Sequence, residues 1–188
     1  MLEWARTAVV IISSVCCINS TEAQLTNTLP TTKLEAFDTN VEVVILKASS
    51  DAGSISADAG IVGVRCREIT DTSTGRKEQG ISVDITPRGL ARASLLVDYD
   101  EIPSLIAAID YIGRVEVTMT PLTSFDAAYT TKGGFRIAAL GTRTTGAIQF
   151  GGRDARVGSV PVTFSRDEMN RLSQIINQAK GTLDSVRR

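Results

Sequence analysis

LLVDYDEIPSLIAAIDYIG, residues 95–113, is where the hydrophobic period of this chain changes. Leu95, Val97 and Tyr99 alternate with their neighbours, the period of a strand buried on one face. From Ile102 the apolar residues fall instead at Ile102, Leu105, Ile106, Ile109 and Ile112, one stripe along a helix. Pro103 has no N–H to donate, so it belongs in the first helical turn, where backbone donors lack intrahelical partners. That places the N-cap near Asp100, with Glu101 in the first turn, where carboxylates satisfy free N–H groups and suit the helix dipole. Gly113 then offers a left-handed C-terminal cap.

The same pattern returns downstream. Val160, Val162 and Phe164 alternate 65 positions after Leu95, Val97 and Tyr99. Met169, Leu172, Ile176 and Ala179 then follow Ile102, Leu105, Ile109 and Ile112 at a distance of 67. The second helix carries Met169, Leu172, Ile175, Ile176, Ala179 and Leu183 on its apolar side, with Gly181 expected to interrupt its last turn. Its start, Ser165-Arg166-Asp167-Glu168, is a capping-box sequence. A joint of this kind used twice favours capping over a glycosidase-like carboxylate pair drawn from Asp98, Asp100, Glu101 and Asp110. Asp98, alternating with Val97 and Tyr99, is expected to face solvent; it, Asp110 and Tyr111 are left without a structural task.

Around these joints, strands are expected at 41–48, 61–69, 80–86, 92–99, 115–120, 125–130, 135–140, 147–150 and 159–164. Small and polar stretches at 48–60, 71–80, 131–134, 141–146 and 151–158 read as loops, and 87–89 as a turn. The expected fold is α+β: antiparallel sheet or sheets from two strand-rich halves, each ending in an amphipathic helix packed on the sheet. The halves, 41–113 and 114–188, form one domain with a weak internal duplication, preceded by a polar arm or linker at 24–40.

Residues 1–23 have the plan of a secretory signal peptide: Arg6, the apolar run TAVVIISSVCCI, then a small-residue cleavage site after Ala23. The run is short against the roughly 20 residues of a bilayer span. An uncleaved anchor over 7–18 is the alternative. The expected location is therefore secreted or periplasmic. Cleavage would remove Glu3, Arg6, Glu22, Cys16 and Cys17, leaving 19 acidic and 19 basic residues and Cys66 as the sole thiol. Cys66 reads as a buried small apolar residue, against a thiol activated by Arg65 and Arg67.

Composition excludes several chemistries. The chain of 188 residues contains no histidine, which removes the usual neutral-pH general base and the commonest zinc ligand. No Cys-x-x-Cys or calcium-loop spacing is present, so no metal and no cofactor is expected. With 20 basic and 21 acidic residues, the formal charge of −1 argues against a polyanion partner.

YDEIPSLIAAIDYIGRV (99–115) and FDAAYTTKGGFRIAAL (125–140) resemble segments of a family of small, uncharacterised, exported bacterial proteins. That family has a YDEI…IDYI helix followed by an F-x-A-x-Y-x-T-K-G strand pair. The resemblance spans residues 41–184 and implies a compact exported domain; it carries no activity and transfers no functional residue.

The candidate binding surface comprises Asp98, Asp110, Tyr111, Tyr129, Lys132, Arg153 and Arg156. Lys132 tips a Gly133-Gly134 turn, and Arg153 with Arg156 lies in GGRDARVG, which lacks both dinucleotide-fingerprint and P-loop spacing. The favoured function is an exported, non-enzymatic domain binding a protein, peptide or envelope component. Its competitors are a single-stranded nucleic-acid binder using Phe125, Tyr129, Phe135 and Phe150 as a stacking platform, and a histidine-free enzyme. The enzyme reading requires Asp98, Asp110, Arg153 and Arg156 to converge on one pocket.

Overall fold

In the computed structural model, which describes residues 32–57, 59–157 and 161–187, the change of period at residue 99 is a change of element. Strand β4 (Ala93–Asp98) ends in a single 3₁₀ turn, Tyr99–Glu101, and helix α2 (Ile102–Gly113) follows with Pro103 in its first turn. The second joint matches: strand β8 (Val162–Phe164) leads to helix α3 (Arg166–Val186), and Ser165 and Glu168 form the expected capping box. Residues 1–23, read as a signal peptide, lie outside the described residues.

The remaining strands are β1 (Ile45–Ala57), β2 (Gly60–Asp71), β3 (Lys77–Pro87), β5 (Ser124–Thr130), β6 (Phe135–Thr142) and β7 (Ala147–Asp154). They build two antiparallel four-stranded meanders, β1-β2-β3-β4 and β5-β6-β7-β8, each followed by a helix. The fold is α+β as expected. One core joins Val62, Val64, Ile81, Val83, Leu95 and Val97 of the first sheet to Phe135, Ile137, Phe150 and Phe164 of the second. The stripes of α2 (Ile102, Leu105, Ile109, Ile112) and α3 (Met169, Leu172, Ile176, Ala179, Leu183) enter the same cluster. Amphipathic helices and one-faced sheets bury their apolar sides in a single layered interior.

Several local expectations are corrected. The stretch 48–60, read as a loop, is mostly the second half of β1, with a bulge between Asp51 and Gly53. Because β1 is an edge strand exposed on both faces from Leu46 to Asp51, small polar residues replace the alternation that marks a strand. Strand β7 likewise absorbs Gly151–Asp154, so only the end of GGRDARVG remains a connection. Conversely, 115–120 forms turns: the N–H of Val115 donates to Ile112 O and that of Met119 to Glu116 O, so the alternating valines never join a ladder.

Gly113 is not a left-handed cap. The Arg166 guanidinium donates to Gly113 O (2.6 Å) and Val115 O (3.3 Å), satisfying the end of α2 without that turn. Gly181 does not interrupt α3, which runs on to Val186. Part of the supposed arm is structured: Lys33–Asp38 is a helix, α1, with its own Thr32–Glu35 capping box. Leu34 and Phe37 of α1 pack with Ile69 on the outer face of the first sheet. Gly80 permits that approach, since a Cβ there would lie 2.6 Å from Leu34 Cδ1 and 2.2 Å from Val97 O.

Candidate functional site on the outer face of the second sheet

The acidic joint at residues 98–101 is structural, but its side chains do not cap the helix that follows. Asp98 is 2% exposed, and its carboxylate accepts from the backbone N–H groups of Lys33 (2.9 Å) and Leu34 (3.1 Å). It therefore caps α1, not α2, and the expectation that it faces solvent is wrong. An alternating residue on an outer face is exposed only if nothing packs there, and α1 does. Asp100 meets Lys33 Nζ at 3.0 Å, and this hydrogen bond and charge hold its carboxyl below the usual carboxylate range. Glu101 neither caps α2 nor faces solvent: its Oε1 accepts from the Lys132 N–H at 2.9 Å.

The two motifs of the family resemblance thus touch. Gly133 completes the contact, because a Cβ there would lie 1.9 Å from Leu96 O of β4. Tyr129 stands beside Glu101; burial first, then that carboxylate, raises the phenol pKa. Arg156 lies against Gly134 and bridges Glu35 (2.6 Å) and Asp154 (3.7 Å). Asp98, Tyr129, Lys132 and Arg156 therefore belong to one joint between α1, β4, the β5–β6 turn and the end of β7, Lys132 through its backbone N–H alone and the other three through their side chains.

The other three candidates lie elsewhere. Asp110 Oδ1 accepts from Ser173 Oγ at 2.7 Å, tying α2 to α3, while Tyr111 is 58% exposed. Arg153 stands on the outer face of β7. Among the described residues, no single cavity gathers Asp98, Asp110, Arg153 and Arg156, as the enzyme reading required. No group of three or more Cys, Asp or Glu side chains among them is arranged to hold a metal ion. No helix among them is long and apolar enough to cross a membrane.

The aromatic platform is also corrected. Phe135 and Phe150 are core residues, Tyr129 packs against that core, and the Phe125 ring lies over Gly141 on the inner side. Cys66 is likewise buried, its thiol donating to Ala179 O at 3.5 Å. Burial pushes the Cys66 pKa up, and Arg65 and Arg67 point to the opposite face by strand alternation, which removes the activated-thiol reading.

What remains open is the outer face of the second sheet. Register places Ala128, Ala138, Gly151 and Thr163 in one row across β5 to β8. On one side Arg136 faces Arg153; on the other Asp126, Leu140 and Gln149 form a row. The low central row between longer side chains makes a groove of about 220 Å³. Arg136 crosses it to Asp126 (Nη2 to Oδ2, 2.9 Å), whereas Arg153 is exposed and has no hydrogen bond or ion pair within the described residues. Of the seven candidates only Arg153 lines this groove; Asp126, Arg136 and Gln149 were missed. Their signal was the period-two alternation itself, which puts 126/128, 136/138/140 and 149/151/153 on the solvent side.

The outer face of the first sheet differs in what lines it. At Gly63 it has a groove of about 190 Å³, but there Asp84, 5% exposed, is ion-paired to Arg65 Nε (3.5 Å) and to the Arg92 guanidinium, so its charges answer one another. The other end of that face lies under α1. Comparison with known proteins gave no counterpart for this arrangement: no protein-family model, no curated protein and no solved structure matches the chain.

Proposed function

We propose that this chain is an exported, non-enzymatic binding protein whose partner is a polypeptide, engaged on the outer face of its second sheet. The observation that carries this reading is the contrast between the two outer faces. One carries α1 and a groove whose charges are paired within it, Asp84 with Arg65 and Arg92; the other keeps a groove floored by Ala138 and Gly151 in which Arg153 has no partner among the described residues. Small floor residues let an extended backbone lie close to the sheet, with longer side chains as walls. Export rests on the pattern of residues 1–23. Single-stranded nucleic acid is not favoured, because stacking needs aromatic rings on the binding face and here they point inward.

The test is a photo-crosslinking amino acid placed at Ala138 and, separately, at Ser54 on the outer face of the first sheet, in cells that are then fractionated. The expected result is a chain cleaved near Ala23 in the exported fraction, with a discrete polypeptide adduct from position 138 alone, reproduced with the purified partner. Equal adducts from both positions, adducts to nucleic acid, or an uncleaved cytosolic chain would overturn it.

A further inference from the structure

We infer that the occupant of the groove is an acidic polypeptide segment, one of whose carboxylates docks between Arg136 and Arg153. This inference rests on the reading above and specifies its ligand. Arg136 and Arg153 are direct cross-strand partners on the same outer face. Like charges so placed destabilise a sheet, and one aspartate, Asp126, answers two arginines. Arg136 spends its Nη2 on Asp126 and its Nη1 on Thr130 Oγ1 (3.5 Å). The Arg153 guanidinium has no partner among the described residues, and its planar fork is of the kind that takes a carboxylate through two parallel hydrogen bonds.

The excess on this face is therefore a single positive charge, two arginines less one aspartate. One carboxylate matches it. A phosphate chain does not, because phosphodiester binding needs a continuous basic track and Asp126 would oppose it. Ala138 and Gly151 beside the pair leave room for the backbone that bears the carboxylate, and Leu140 offers an apolar wall.

The test uses the full chain and blocked alanine–valine heptapeptides with a central glutamate, glutamine or lysine, titrated while backbone amides are followed by NMR. The glutamate peptide should shift the amides of Ala138 and Gly151 and bind about tenfold more tightly than the glutamine peptide, with the lysine peptide weaker still. R153Q should remove that preference and R153K retain part of it. In the unliganded protein R153Q should also raise the melting midpoint, because the like-charge pair is gone. Equal binding of the glutamate and glutamine peptides, no binding of the glutamate peptide at millimolar concentration, an unchanged preference or a lowered midpoint in R153Q, or displacement by oligothymidylate would each overturn the inference. A polypeptide adduct from Ala138 without charge preference would sink this inference alone; loss of the adduct would sink the function proposed above.

Discussion

Replacing Asp98 by alanine tests whether the acidic joint is architecture. The carboxylate accepts from the N–H groups of Lys33 and Leu34, and its residue is 2% exposed. Leu34 is fully buried, so its N–H would be left without a partner and without water, at about 1–3 kcal/mol. Lys33 is exposed, so its N–H rehydrates and costs only about 0.5–1 kcal/mol. A ceiling comes from α1 itself: a six-residue helix has no stability of its own, so beyond some cost it detaches. Detachment forfeits the burial of Leu34 and Phe37, about 1.5–3 kcal/mol each. We therefore expect Asp98→Ala to cost about 3 kcal/mol, lowering the melting midpoint by about 6–12 °C for a domain of this size. Asp98→Asn keeps one acceptor oxygen and should lose about half as much. Urea denaturation gives the energy, and amide exchange at Leu34 locates it. A loss below about 0.5 kcal/mol, or a Leu34 amide as protected as in the wild type, would refute the capping role.

Gly133→Ala should destabilise the chain by about 2–4 kcal/mol, since the added Cβ would sit 1.9 Å from Leu96 O; a neutral thermal melt would show that the turn does not lock onto β4. Gly181→Ala should do the opposite, adding about 0.5–1 kcal/mol in urea denaturation, because the position is mid-helix and a Cβ there meets nothing within 4 Å. Asp71 accepts from Ser73 Oγ (2.6 Å) and the Ser73 and Thr74 N–H groups, which lower its pKa from 3.8 to about 2. A carboxylate depressed in the folded state contributes stability that is present above its unfolded pKa and lost as pH falls towards the folded one. Urea midpoints should therefore decline between about pH 4 and pH 2, and Asp71→Asn should flatten that part of the profile. Ser165→Ala should cost about 1 kcal/mol by removing the acceptor for the Glu168 N–H, read as faster amide exchange in the first turn of α3.

Much of the fold was legible because its signals are local. The stripe from Ile102 to Ile112 and its successor from Met169 to Leu183 are helices because apolar residues recur at the helical period, and both stripes are buried. The capping box at Ser165 needed only four consecutive residues. Strand β1 was half missed because an edge strand bathed in solvent has no apolar alternation to display. Residues 115–120 were over-read because two alternating valines look alike in a strand and in a turn over a buried Val115.

Function-bearing positions divide in the same way. By itself the sequence determined the helical stripes of α2 and α3, the capping box that starts α3 and the lack of histidine chemistry, all properties of short windows or of composition. Which side of a sheet is covered belongs to tertiary structure alone. Asp98 and Arg153 both alternate on outer faces, yet α1 buries the first and nothing described covers the second. The difference arises from a helix 65 residues away in sequence from the carboxylate it needs. No local period encodes that contact; only the assembled sheet, with Gly80 low enough to admit Leu34, decides it.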